Sequence, residues 1–508
     1  MIPNPHSGSM IFYHYVVLTF LLLLSPLAGK GQPIPADEDV KDPSLLSLGP
    51  IGVRVSMDHR EDRQPRSKSN SATIRYIFTN SLAEKRLKIG DVIEGINGNT
   101  FNENFSAKVA EEIDKAEGEG GEITLQINRE GTKIDIPLEL DTIGSYSKTW
   151  PHQCEKSSQI LYNACDWLVE HQQKNGRLEK NKGSPHFVLT STAGLAMLGC
   201  DPKKYKRPLA KITTFLCDTL KENRDEEGHY HNGPLELWSL NYAAIFLSEY
   251  YLITKDEKSL SALKFLNREI HHRQFHQADK ETVEHVKALR KRRGDRGEPV
   301  PPYWFAHGKL STKTSGYVHL GANTAYACLA WNLMKKAGVD VDVENLNATM
   351  DYIEEAGPIG YMPYSGIPNQ RDRPNDAFGR TGTLSMVLYL DGGRADYSKL
   401  VNESMANLYP KATYFSHATC VMGKAWGMMS IAHQNPSLFR KMMNECRHDF
   451  DLLRLSDGSF VSNPVTKNHH GRLDLVTGGN GDKHRWTTAF NALIYALGQK
   501  RLTITGAQ

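Results

Sequence analysis

From Ser157 onward one unit recurs six times: an amphipathic helix, a Gly-rich polar connection, and a second helix that is apolar on nearly every face. The first members begin near Ser157, Arg207, Lys258, Glu344, Ser398 and Ser437, with one-sided stripes such as Leu209, Ile212, Phe215, Leu216 and Leu220. The second members begin near Thr190, Trp238, His319, Thr381, Ala418 and Thr487 and are rich in small residues, as in Gly321, Ala322, Ala325, Ala327 and Ala330. A helix apolar all round must be buried all round. Six alternations of the two kinds therefore predict an outer ring of helices wrapped about an inner ring, an (α/α)6 toroid. An open solenoid is the rival arrangement, since second helices spaced 37 to 81 residues apart also suit stacked pairs. Closure is favoured because neither terminal repeat shows a polar capping face.

The connections Asn175-Gly176-Arg177, Glu227-Gly228-His229-Tyr230, Gly357-Pro358-Ile359-Gly360-Tyr361 and Asp457-Gly458-Ser459-Phe460 follow outer helices and put Gly ahead of larger residues. They resemble the Gly-aromatic turns of terpene cyclases and protein prenyltransferases, and that resemblance implies the same toroid over 150–505. The chemistry of those families does not carry over. No D-x-D-D acid is present, and Asp340 and Asp342 are followed by Val343. No C-G-E-Q thioester and no paired Cys-His-Gly zinc signature occurs. Residues 276–302 hold a basic run and three prolines, which reads as a surface excursion.

Residues 45–141 have a different period. Apolar residues alternate in Gly52–Val55, Ala72–Phe78, Asp91–Ile96, Ile123–Ile127 and Lys133–Leu138, which is strand logic, and one helix spans Phe105–Ala116. The residues Leu87-Lys88-Ile89-Gly90-Asp91-Val92-Ile93 and the turn Ile96-Asn97-Gly98-Asn99 resemble the core of a PDZ domain of the bacterial protease-associated type. That resemblance implies a peptide-binding loop at Leu48, Gly49, Ile51 and Gly52, where backbone N–H groups take a C-terminal carboxylate while the peptide adds a strand. Pro50 removes one of those donors. A PDZ-like unit followed by a helical ring resembles an exported bacterial family, found in planctomycete-like genomes, of unknown function.

Length and charge fit this division. A chain of 508 residues exceeds what one core supports. With 61 basic and 58 acidic residues and no basic stripe, nucleic acid is excluded as the main partner. The apolar run Val16–Leu24 is too short to span a bilayer and, followed by Ser25-Pro26 and small residues, reads as a secretory signal. The expected organisation is a signal over 1–31, a linker over 32–44, the PDZ-like unit over 45–141 and the ring over 150–505. The product would be periplasmic or extracellular, with no stable membrane span after cleavage. Seven scattered cysteines exclude a dense disulfide framework.

Inner helices of a toroid run parallel, so six positive helix ends face one mouth. The residues there are polar: Ser191 and Thr192, Trp238 and Asn241, His319 and Asn323, Arg380 and Thr381, His417 and Thr419, Arg485 and Thr487. Capping explains the hydroxyls. It does not explain Arg380, His417, Arg485 or His319, which become the candidate catalytic set, with the histidines as acid–base groups. His229/His231 and His469/His470/His484 fall on the same side. His417 and Cys420 share a helical face, but no third metal ligand is assignable, so no metal is expected and any cofactor is unknown. Asp372, Asp376 and Arg380 offer an acid–base set for sugar cleavage, although turn formation is the better account of the two aspartates. Two functions stay open: a non-catalytic scaffold whose PDZ-like unit holds a peptide while the ring binds a small ligand, and a lyase, hydrolase or cyclase acting on a carbohydrate or similar ligand.

Overall fold

The computed structural model describes residues 45–57, 71–101, 105–180, 187–233, 235–275, 302–308, 320–364, 377–412, 420–461 and 482–507, with isolated positions in 284–288. The secretory signal and linker expected at 1–44 lie outside the described residues.

The N-terminal unit is one antiparallel sheet. Strands β1 (Leu46–Ser47), β2 (Val53–Met57), β3 (Ala72–Ile77), β4 (Val92–Ile96), β6 (Glu122–Arg129) and β7 (Thr132–Glu139) lie side by side in that order, and β5 (Asn99–Thr100) pairs with β4. Helix α1 (Phe105–Gly118) crosses between β5 and β6 and buries Phe105, Val109, Ala110 and Ile113 on the sheet. Alternation of buried and open residues along β6 is what one covered face requires. The outer strand β7 carries Lys133, Asp135, Pro137 and Glu139, a charged, proline-bearing edge that resists further pairing.

Among the described residues, twelve helices with full ranges follow in six hairpins. The outer members are α2 (Glu155–Glu170), α4 (Lys206–Glu222), α6 (Glu257–His272), α8 (Val343–Ala356), α10 (Ala395–Ala412) and α12 (Pro436–Leu453). The inner members are α3 (Val188–Cys200), α5 (Glu236–Thr254), α7 (Gly321–Lys336), α9 (Phe378–Asp391), α11 (Cys420–Gln434) and α13 (Lys483–Ala496). Each inner helix packs on the next, and α13 returns to α3, so the ring is closed. The solenoid alternative is thereby excluded: α13 has α3 where an open array would leave a bare end. All thirteen residues of α3 are buried, whereas α4 buries only Leu209, Ile212, Thr213, Leu216 and Leu220. Small residues set the spacing. A Cβ on Gly382 of α9 would lie 2.6 Å from Cα of Gly427 on α11, so these two helices meet backbone to backbone.

Sheet and ring are joined by a buried ionic cluster. Lys156 at the start of α2, fully buried, sits 2.6 Å from Asp114 and 2.8 Å from Glu117 of α1. Arg454 clamps both oxygens of Glu117 at 2.6 and 2.7 Å, and Arg447 reaches Asp114. Beside them Leu452 enters the apolar core of the sheet unit. Each charge has an opposite charge within hydrogen-bond reach, the condition for ions to tolerate burial.

This docking closes the expected peptide-binding loop. Leu48, Gly49, Ile51 and Gly52 are all buried, and Gly49–Ile51 form a single 3-10 turn against the end of α12. A Cβ at Gly49 would stand 2.3 Å from the carbonyl oxygen of Asp451. Strand addition is blocked too, because β1 and β3 already occupy both edges of β2. The reading of these four residues as an open carboxylate cradle is corrected: all four are buried, and the N–H groups of Leu48, Gly49 and Gly52 donate to the Val53 carbonyl, the Ser47 hydroxyl and the Gly49 carbonyl.

Candidate active site at the mouth of the ring

Four connections from outer to inner helix share one construction. Gly176, Gly228, Gly360 and Gly458 all adopt left-handed φ, between 80° and 100°, and each N–H closes a tight turn on the carbonyl three residues back. Two residues after the glycine the chain is tied to the ring. The N–H groups of Leu178, Met362 and Phe460 donate to the hydroxyls of Thr190, Thr381 and Thr488 at 2.9, 3.1 and 2.9 Å. A fifth connection makes the same tie from Phe305 to Thr324 at 3.3 Å, with Tyr303 taking the left-handed conformation two residues earlier. In the second repeat Tyr230 N–H instead finds the carboxylate of Glu269 at 2.9 Å.

A shared scaffold makes departures from it informative. The residue after each tie is Glu179, His231, Ala306, Pro363 and Val461, and the next is Lys180, Asn232, His307 and Tyr364 in the first four. Each of the first four connections thus carries a titratable or hydrogen-bonding side chain at one or both of these positions.

Glu179 is buried. It accepts from the N–H of Thr190 at 3.1 Å and from the Thr190 hydroxyl, with Arg177 at 3.8 Å. Burial pushes its carboxyl up to about 7, outweighing those hydrogen bonds. Asp482, at the start of α13, receives the N–H of the adjoining Lys180 at 2.9 and 3.1 Å, so two carboxylates border one stretch of chain. His231 reaches Glu236 at 3.5 Å, and Glu236 is held by Arg273 at 2.9 Å. His307 accepts the indole N–H of Trp238 at Nδ1, 2.8 Å, which fixes its neutral tautomer with the proton on Nε2.

Below this rim the axis is filled by rings. Tyr242 on α5 and Trp426 on α11 come from opposite sides of the ring, and the indole N–H donates to the phenol oxygen at 2.8 Å. Tyr326 and Phe490 pack against them, with centroids 5.2 to 6.3 Å apart. One helical turn nearer the mouth, Trp238 packs on Tyr326 and Trp486 on Phe490. Among the described residues, aromatic rings thus lie one to two helical turns below the polar connections.

Arg380 and Arg485 both lie in first turns of inner helices at this end, on α9 and α13, which α11 separates. Both are buried, and each donates to a connection carbonyl: Arg380 to Met362 at 2.7 Å, Arg485 to Leu178 at 2.8 Å. They position the tied residues. His319 and His417 lie outside the described residues, as do Asp372, Asp376, His469 and His470. His484 stacks on Trp167, which also stacks on His171 and donates to Asp457 at 3.1 Å. Glu179 and His307 escaped sequence reading; the signal that finds them is their fixed offset from the left-handed residue. Among the described residues, no three His, Cys, Asp or Glu side chains converge to hold a metal ion.

A closed (α/α)6 ring carrying a docked antiparallel sheet defines the architectural class. Within it, residues 157–506 match the family described as Domain of unknown function (DUF6288), and the chain belongs to that family. No curated protein is significantly similar to it. Among solved structures, it is similar to a family 76 glycoside hydrolase from a bovine Bacteroides thetaiotaomicron strain, at 9% identity over 74% of this chain and 84% of that one, TM-score 0.42. A GH76 α-mannanase from Bacteroides thetaiotaomicron matches at 11% identity over 68% and 95%, TM-score 0.42. A polysaccharide lyase matches at 13% identity over 86% and 64%, TM-score 0.38.

Proposed function

We propose that this chain is an exported enzyme that performs acid–base chemistry on a carbohydrate at the mouth of the ring. The observation that supports this reading is the company of residues at the N-terminal end of the inner ring: aromatic rings Trp238, Tyr326 and Trp486, with Glu179, His231 and His307 on the connections and Asp482 at the start of α13. Apolar faces with a few converging polar groups are what a sugar ring needs from a site. A carboxyl near 7 exchanges protons most effectively at neutral pH. In this reading Glu179 is the acid, and Asp482 is the second carboxylate that glycoside hydrolysis calls for. The sheet unit is a PDZ-like fold kept as a fixed arm, and peptide capture has no part in it.

The test uses full-length protein with soluble α-mannan, xylan and pectin, scored for new reducing ends and, separately, for unsaturated products. Turnover of one polymer is expected, with Glu179→Gln lowering kcat by about 100-fold or more while the thermal midpoint is retained. No turnover of any polymer, or a Glu179→Gln enzyme as active as the parent, overturns the proposal.

A further inference from the structure

A cavity of about 310 Å³ lies where the sheet unit meets the ring. Gly52, Phe78 and Asn80–Ser81 form one wall, and Trp167, Glu170, His171 and Leu455–Asp457 form the other. Neither unit makes this space alone, and the ionic cluster on Lys156, Glu117 and Arg454 holds the two walls in register.

Its lining is that of a binding site. Phe78, Trp167 and Leu455 are buried and form an apolar floor. Around it stand groups of both hydrogen-bonding senses. The Ser81 hydroxyl is shielded from solvent yet has no hydrogen-bond partner. His171 donates from Nδ1 to the carbonyl of Trp167 at 2.8 Å, which leaves the Nε2 lone pair to accept from a ligand. Glu170 and Asp457 contribute carboxylates, and among the described residues no Lys or Arg lines the cavity. That balance repels anions and suits a neutral polyhydroxyl compound. Trp167 of the lining also stacks on His484 in the first turn of α13, 5.0 Å between centroids, so one ring is shared between the cleft and the N-terminal end of the inner ring. Sites of this size are found preferentially where two units meet.

We infer that the cleft between the sheet unit and the ring is a subsite for a neutral saccharide, a second holding point for a chain whose reacting end occupies the mouth. The inference rests on the carbohydrate reading of the mouth and assigns the sheet unit its use: it supplies half of a substrate-binding wall.

The experiment is calorimetric titration of full-length protein with mannohexaose, xylohexaose and maltohexaose, and with an oligogalacturonate as the anionic comparison. Glu170→Trp obstructs the cleft from an exposed position, and Ser81→Ala removes the buried hydroxyl. Binding of one neutral hexasaccharide is expected, weakened about tenfold or more by Glu170→Trp and several-fold by Ser81→Ala. Unchanged affinity in both cleft variants overturns the subsite while leaving the mouth reading to stand on its turnover. Binding of no neutral hexasaccharide, or tighter binding of the oligogalacturonate, also overturns it. Normal thermal midpoints for the variants show that the effect is local.

Discussion

Replacing Glu117 by Gln tests how firmly the sheet unit is held. The carboxylate is 1% exposed and receives two bonds from Arg454, at 2.6 and 2.7 Å, and one contact from Lys156 at 2.8 Å, which is itself fully buried. An amide keeps one acceptor but removes the charge, so two cations stay buried with Asp114 and Asp451 as their remaining counterparts. Breaking a buried pair by removing one partner costs about 3 to 5 kcal/mol. The comparison is Glu94→Gln, whose partner Lys133 is 3.8 Å away and 84% exposed, a pair worth under about 1 kcal/mol. Urea unfolding followed by tryptophan fluorescence, with hydrogen exchange read on α1, measures both. Glu117→Gln should lower stability by at least about 3 kcal/mol and speed exchange in α1 ahead of the ring helices. Equal losses in the two variants, within about 1 kcal/mol, would refute the view that the buried cluster rather than surface charge holds the units together.

Two further outcomes follow from the ring. Thr488→Val leaves the buried N–H of Phe460 without its acceptor and should cost about 1 to 3 kcal/mol, most of which Thr488→Ser restores; urea unfolding of the three proteins checks it. Glu249 on α5 accepts the N–H groups of Thr503 and Ile504, both at 2.9 Å, and burial pushes its carboxyl up to about 7. Between about 4.5 and 7 the unfolded chain ionises this group while the folded chain keeps its proton, so its contribution falls as pH rises, by about 3 kcal/mol across the window. Glu249→Gln should flatten the stability profile by that amount between pH 5 and pH 8, and an unchanged slope would remove Glu249 as its source.

Helix character alone carried the ring. All twelve starts read from periodicity fall within four residues of the observed ones, because one-sided and all-round apolar helices obey different burial rules. Strand alternation located the sheet for the same reason. The site was less legible. Arg380 and Arg485 stood out as charges in buried helix starts, but the carbonyls that hold them come from connections whose paths periodicity does not describe. Glu179 carried no signal of its own in the sequence, since its burial depends on Thr190 and on the turn at Gly176. The loop at Leu48 to Gly52 misled for a related reason: local pattern gave its shape, while its cover is α12, some four hundred residues away in the sequence.

The bond between Tyr242 and Trp426 has a consequence for traffic. It joins helices on opposite sides of the ring at mid-depth, and with Tyr326 and Phe490 it fills the axis there with packed side chains among the described residues. Under the carbohydrate reading proposed above, substrate would approach and products would leave by the same face of the ring.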